Sequence, residues 1–155
     1  LPISIFIVIA LILIALVVIL IIIKVSKSFE RKERIKEILG EKISNKTTPS
    51  SLRNLAVSYE VKDDYRQAIR YYFIAILLLM HEKAIIYLDE TKTNEEIYKC
   101  LLQNKFFDPS VLLYVIIDFN SSWYGHKNLN KETYDKTLQN INLLWKGVLA
   151  YEEKR

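Results

Sequence analysis

The chain has 155 residues, 51% of them hydrophobic, and a formal net charge of +4. Three glycines and three prolines are too few for a many-turned β-fold and suit helices joined by short connections. No segment beyond residue 36 concentrates the mild charge into a basic face, so nucleic acid is not an expected partner. A single cysteine, Cys100, excludes an internal disulfide.

The first predicted element is an apolar segment from Ile3 to Ile23, 21 residues in which only Ser4 is polar. A helix of this length rises about 31 Å, close to the thickness of the hydrocarbon core of a bilayer. Its β-branched residues would favour a strand in water, but a lone strand in lipid would leave its backbone polar groups unpaired. Residues 1–23 therefore predict a transmembrane helix.

This apolar segment is longer than the h-region of a signal peptide, and neither a basic region before it nor a small-residue cleavage site after it is present. We therefore expect a retained anchor. The sequence begins at Leu1 without an initiator Met. We therefore expect either that Leu1 lies inside a longer protein whose earlier part has been removed, or that the chain has been processed.

Six basic and two acidic residues lie between positions 24 and 36, directly after the apolar segment. Basic residues beside a span stay on the cytoplasmic side, and each adds about 1 kcal/mol of attraction to anionic lipid heads. We expect the C-terminal domain in the cytoplasm and the N-terminus outside. A solvated stalk with Glu–Lys pairing is a compatible alternative. The residues predicted to contact the membrane surface are Lys24, Lys27, Arg31, Lys32 and Arg34.

The basic residues belong to a predicted stalk and linker over 24–49. Residues 24 to about 39 are predicted to continue as a polar helix, which Gly40 stops. Residues 44–50 have the polar composition of a linker. A cytoplasmic helical domain is then predicted over 50–155.

The first two helices of this domain are predicted from their caps and apolar spacing. Thr48 followed by Pro49 is a helix start, and residues 62–64 break that helix. The next helix, about 64 to 85, is entirely apolar from 71 to 80. Because ten residues are too short to cross a bilayer, this helix is predicted to form the core of the domain.

Three further helices complete the predicted all-α fold of one transmembrane helix and a bundle of about five. A short extended piece over 85–88 precedes Thr93, which forms a capping box with Glu96. Asp108 and Pro109 start the next helix. In that helix we expect Gly125 to act as a left-handed cap and the following residues to face inward: Val111, Leu112, Val115, Ile116, Phe119 and Trp123. Asn130 caps the last helix, whose predicted inward stripe is Tyr134, Leu138, Ile141, Trp145 and Val148.

The chain offers few residues for catalysis. His81 and His126 are far apart in sequence and are expected to be surface or capping residues. Cys100 is expected to be a buried, inert thiol. No nucleophile elbow, glycine-rich phosphate loop, HExxH or paired CxxC is present. We therefore predict no catalytic residue, cofactor or metal site in these residues.

Aromatic residues are the remaining candidates for binding. Tyr71, Trp123 and Tyr124 are predicted as a partner surface, although aromatic residues at helical spacing usually belong to a core. The interpretation that follows is a membrane-anchored, non-catalytic helical module that docks other proteins.

The order of several short motifs resembles the uncharacterised C-terminal domain of membrane-bound transglutaminase-like proteins, over about residues 50 to 145. The motifs are YRQAIRYY at 65–72, KAIIY at 83–87, KTNEE at 92–96 and WYG at 123–125. This resemblance implies a cytoplasmic accessory module, with a MoxR-type AAA+ ATPase or a von Willebrand A-like domain protein as partner. It supplies no catalytic residues for this stretch.

Two other functions remain open. The chain is an accessory part of a transglutaminase-like enzyme if a Cys–His–Asp active site lies upstream of Leu1. Alternatively, it is a small subunit of a transporter-type membrane assembly. The span contains no ionisable residue and no small-xxx-small motif, which favours an anchor over a conducting element.

Overall fold

The structure is a computed structural model, which describes residues 3–30, 35–89, 92–104, 108–125 and 129–151. The chain divides into two compact units, Leu1–Arg34 and Ile35–Arg155. The predicted lipid-contacting residues Arg31, Lys32 and Arg34 lie outside the described residues, as do the side chains of Lys24 and Lys27. Their contact with a membrane surface therefore stays a prediction.

The first unit contains helix α1, Ile3–Glu30. Within it, Ile3–Ile23 is long and apolar enough to cross a membrane, with a mean hydropathy of 3.9. Its large apolar side chains are exposed along the whole segment. The length and composition are those of a candidate membrane span.

The second unit begins with a β-hairpin where the sequence predicts a helix. Strands β1 (Glu37–Ile38) and β2 (Glu41–Lys42) pair antiparallel, with Ile38 opposite Glu41. Leu39 and Gly40 form the two-residue turn, at φ of 51° and 78°, and this type of turn requires positive φ at both positions. The predicted polar helix over 24–39 is therefore wrong for residues 35–39.

The rest of the second unit is helical. The helices are α2 (Pro49–Glu60), α3 (Tyr65–Glu82), α4 (Asn94–Asn104), α5 (Pro109–Trp123) and α6 (Lys131–Leu149). The predicted helix starts are confirmed, because the side chains of Thr48, Thr93, Asp108 and Asn130 each accept a hydrogen bond from a backbone N–H two or three residues later. The mostly helical fold is thus confirmed for the described residues.

Helix α3 is the centre of the second unit and packs against α2, α5 and α6. Every residue from 71 to 80 is buried, which confirms the predicted core helix. Phe73 of α3 meets Phe119 of α5, with ring centroids 4.7 Å apart. Ile35 and Ile38 of the hairpin join the same hydrophobic core, so the hairpin is held to the bundle by burial.

The ends of α3 and α5 have a backbone geometry that the sequence analysis did not predict. Gly125 is not in the left-handed region; it is needed because an added Cβ would lie 2.7 Å from the Ser121 carbonyl oxygen. The left-handed end occurs instead after α3, at Ala84 (φ 56°), where Ile85 N–H donates to the Met80 carbonyl at 2.9 Å. Residues 85–88, predicted as a short extended piece, lie outside the helices, and Ile85, Ile86 and Leu88 are buried.

Candidate functional site

The histidine and cysteine candidates do not form a catalytic group in the described part of the chain. His81 Nδ1 accepts a hydrogen bond from the Leu88 N–H at 3.2 Å, and burial lowers the pKa of His81. Cys100 is partly buried with a free thiol, and His126 lies outside the described residues. Among the described residues, no three His, Cys, Asp or Glu side chains cluster as metal ligands.

A buried tyrosine cluster lies between α2, α3 and α6. The Tyr72 hydroxyl donates to the Glu60 carboxylate at 3.1 Å. Burial and the nearby Glu60 carboxylate raise the pKa of Tyr72 to about 12, and burial likewise raises the pKa of Tyr134. Both hydroxyls are therefore protonated at neutral pH. The arrangement is suited to fixing the helices and not to accepting a proton from a substrate.

Two arginines, one turn apart on α3, enclose a tryptophan at the end of α5; we call Arg66, Arg70 and Trp123 the arginine–tryptophan junction. The guanidinium carbons of Arg66 and Arg70 lie 4.7 and 4.6 Å from the Trp123 ring centroid. Arg66 also donates to the Trp123 carbonyl oxygen at 2.6 Å. A cation at the C-terminal end of a helix satisfies a free carbonyl and interacts favourably with the helix dipole. The junction thereby fixes the end of α5 on α3.

The same junction holds the hairpin. Arg70 pairs with the Glu41 carboxylate at 3.2 Å and donates to the Leu39 carbonyl oxygen, also at 3.2 Å. The Arg70 side chain is only 11% exposed and that of Glu41 27%, so water screens this pair less than a surface ion pair. The hairpin is therefore attached to α3 by charge as well as by its buried isoleucines.

The three residues predicted as a partner surface lie around this junction, and they differ in exposure. Tyr71 is 8% exposed and stacks on Tyr59 with ring centroids 5.3 Å apart. Trp123 is partly buried between the two arginines. Tyr124 is 62% exposed. Tyr124 is thus the member of the set with a broad accessible surface.

Helix α5 continues this accessible surface away from Tyr124. Leu113, Tyr114 and Ile117 are 39%, 60% and 49% exposed. At 3.6 residues per turn, all three lie on the same side of the helix as position 124. We call these four residues the α5 outer face. The buried side of the helix carries Leu112, Val115, Ile116 and Phe119, and the Tyr124 ring reaches back to Phe119, with ring centroids 6.1 Å apart.

Other exposed apolar residues in the described part of the helical unit do not form a comparable surface. Val57 on α2 and Val61, directly after it, are one turn apart but small, and Leu55 lies on a different side of α2. Tyr87 lies in the connection after α3, with its ring 5.8 Å from His81. Leu143 and Leu149 are six residues apart on α6 and point to different sides. The α5 outer face therefore combines the larger side chains, two of them tyrosines, over three turns of one helix.

The sequence contained the signal for this surface, which the inward-stripe prediction overlooked. Apolar residues run without interruption from Val111 to Ile117. A run of seven consecutive apolar residues surrounds a helix on all sides, so it predicts either burial on all sides or an apolar outer face.

No protein-family model, curated protein or solved structure matches the chain. Nothing in these comparisons links it to transglutaminase-like proteins. The resemblance over residues 50 to 145 therefore stays a prediction, and the function is argued from the geometry of the chain itself.

Proposed function

We propose that this protein is a membrane-anchored, non-catalytic module that docks another protein through the α5 outer face. Helix α1 is the proposed anchor in the bilayer. The basic residues that follow Ile23 support a cytoplasmic side for the helical unit. The proposed role is that of a subunit in a membrane-associated complex.

The observation that carries this proposal is the exposed apolar surface of α5. Leu113, Tyr114, Ile117 and Tyr124 are 39–62% exposed, and exposed apolar side chains that lie together on one surface often mark an interaction site. Tyrosine is enriched at protein interfaces because its ring packs while its hydroxyl stays hydrated. Anchored to the inner leaflet, this face would meet a partner that is cytoplasmic or membrane-bound.

A photo-crosslinking experiment in native membranes tests the docking surface. A photoreactive amino acid replaces Tyr114 or Ile117, and matched controls carry it at Asn54 and Gln139, which are exposed polar positions on α2 and α6. We expect discrete cross-linked species from the two α5 positions and only background from the controls. Equal yields at all four positions, or none at the α5 positions, would contradict the proposal.

A further inference from the structure

We infer that the β1–β2 hairpin and the C-terminal end of α5 change conformation together, and that Arg70 is the residue that links them. With the hairpin attached, Glu41 keeps the Arg70 guanidinium against Trp123. With the hairpin detached, Arg70 leaves Trp123, and the end of α5 loosens together with Tyr124 of the α5 outer face. The effect on docking rests on the proposed function, whereas the coupling itself does not.

Arg70 makes its polar contacts with the hairpin. Its guanidinium pairs with the Glu41 carboxylate and donates to the Leu39 carbonyl oxygen. Its Nε is buried without a hydrogen-bond partner in the described part of the chain. Within the same residues, no second carboxylate lies within ion-pair distance of Arg70. The hairpin therefore supplies the polar partners of this guanidinium.

The burial of Arg70 gives its side chain two favourable arrangements. The side chain is almost buried, and a buried charge that has lost its partner is strongly destabilising. When Glu41 moves away, the guanidinium lowers its free energy by turning out to water while the apolar stem stays against the protein. Arg70 is therefore either paired with the attached hairpin or turned towards solvent.

The same guanidinium contacts one side of the Trp123 ring. Its carbon lies 4.6 Å from the ring centroid, and that of Arg66 lies 4.7 Å away. A cation–π contact contributes more when it is shielded from water, as it is here, than at an exposed site. When Arg70 turns out to water, Trp123 keeps its contacts with Arg66 and loses those with Arg70. The end of α5 is then held to α3 by one arginine instead of two.

Two backbone hydrogen bonds report the order of this helix end. The N–H groups of Tyr124 and Gly125 both donate to the Asn120 carbonyl oxygen, at 2.9 and 3.1 Å. They close the last turn of α5 directly after Trp123. Weaker attachment of Trp123 to α3 therefore lets this turn open more often, and both amides then exchange faster with solvent.

The place of the hairpin in the sequence indicates what this coupling responds to. The hairpin is the first element of the helical unit and follows the proposed anchor after residues 24–34. Along the chain, a change at the membrane therefore reaches the hairpin before any helix of the unit. Two sites are coupled when both affect an element with two arrangements. Arg70 meets this condition because it contacts Glu41 and Trp123 at once.

Hydrogen–deuterium exchange of the whole protein in detergent, read by mass spectrometry at single residues, tests the coupling. Glu41→Met removes the charge and both acceptor oxygens but keeps the length of the side chain. The matched control is Glu37→Met, because Glu37 is exposed on the same hairpin opposite Lys42. We expect exchange at the Tyr124 and Gly125 amides to rise about two- to thirtyfold in Glu41→Met, which corresponds to the loss of one cation–π contact.

In Glu37→Met, exchange at these two amides should stay as in the unmodified protein. The Ala150 amide, which closes the end of α6 by donating to the Lys146 carbonyl oxygen at 3.0 Å, should stay unchanged in both variants. Equal exchange at the α5 end in Glu41→Met and Glu37→Met overturns the inference. An equal rise at Ala150 also overturns it, because the effect is then a general loosening of the fold.

A double-mutant cycle shows whether Arg70 carries the effect. In an Arg70→Met background the contact with Trp123 is already lost, so Glu41→Met should add no further exchange at the Tyr124 and Gly125 amides. Additive effects of the two substitutions would mean that the hairpin acts on α5 by another route and would exclude Arg70 as the link.

The exchange and photo-crosslinking results separate this inference from the docking proposal. The expected exchange pattern without cross-links at Tyr114 or Ile117 supports the coupling and removes docking. Discrete cross-links together with equal exchange in Glu41→Met and Glu37→Met leave docking standing and remove the coupling.

Discussion

Helices α3 and α5 are both rich in apolar residues, but their surroundings differ. Residues 71–80 of α3 are all buried, whereas α5 buries one side and exposes Leu113, Tyr114 and Ile117 on the other. Helix α3 packs against α2, α5 and α6, while α5 packs against α3, α4 and α6 and still leaves those three residues exposed. The apolar residues of a helix therefore indicate how much of its surface should be buried. Only the packing shows whether other parts of the chain bury that surface.

The largest expected effect comes from removing side-chain volume from the fully covered helix. Leu77 is 0% exposed, so Leu77→Ala leaves a cavity and lowers the free energy of unfolding by about 2–5 kcal/mol. Leu113→Ala on the α5 outer face removes the same atoms from an exposed site and changes it by no more than about 0.5 kcal/mol. The urea midpoint of the protein in detergent, followed by tryptophan fluorescence, measures both. Similar midpoints for the two variants would mean that α5 is as covered as α3.

Smaller effects are expected at the C-terminal ends of α3 and α5. Glycine is the usual residue at a left-handed helix end, but here alanine has the positive φ after α3 and the glycine after α5 does not. Ala84→Gly relieves the positive φ of 56° after α3 and stabilises the protein by about 0.5–1 kcal/mol. Gly125→Ala after α5 places a Cβ 2.7 Å from the Ser121 carbonyl oxygen and destabilises it by about 1 kcal/mol or more. Shifts of the urea midpoint in opposite directions check the pair. A stabilising Gly125→Ala would show that the end of α5 relaxes freely.

The smallest expected effect is a pH dependence at the end of α3. Burial lowers the pKa of His81 below its usual 6.5, so the unfolded chain binds this proton more readily. The stabilisation is complete above about pH 6.5 and is lost as the pH falls through the folded pKa. We expect the urea midpoint to decrease between about pH 7.5 and pH 5.5, and less so in His81→Gln. An identical decrease in the variant would assign the effect to other groups.

Much of the helical unit could be predicted because its signals are local. The capping side chains of Thr48, Thr93, Asp108 and Asn130 mark helix starts directly. The apolar run of α3 is long enough to require burial on all sides. These signals need no knowledge of which parts of the chain are neighbours in space.

The features that were missed depend on contacts between distant parts of the chain. The spacing of Ile35 and Ile38 suits a helix as well as a hairpin, and Leu39 is an unusual first residue for a turn that requires positive φ. The hairpin is attached to the bundle by the buried Ile35 and Ile38 and by the pairing of Arg70 with Glu41, 29 residues earlier in the sequence. The burial of Tyr71 likewise results from its contact with Tyr59, which composition alone does not reveal.

The attachment of the hairpin to Arg70 has a mechanical consequence. The backbone enters the second unit at Ile35 and forms the hairpin, whose Leu39 carbonyl and Glu41 carboxylate are both held by Arg70. Tension applied at the N-terminal side of this unit is therefore transmitted sideways into the middle of α3. The contacts that receive this load first are the ion pair and hydrogen bond of Arg70, together with the buried Ile35 and Ile38. Force on the hairpin therefore acts on the central helix through a side chain as well as through the backbone.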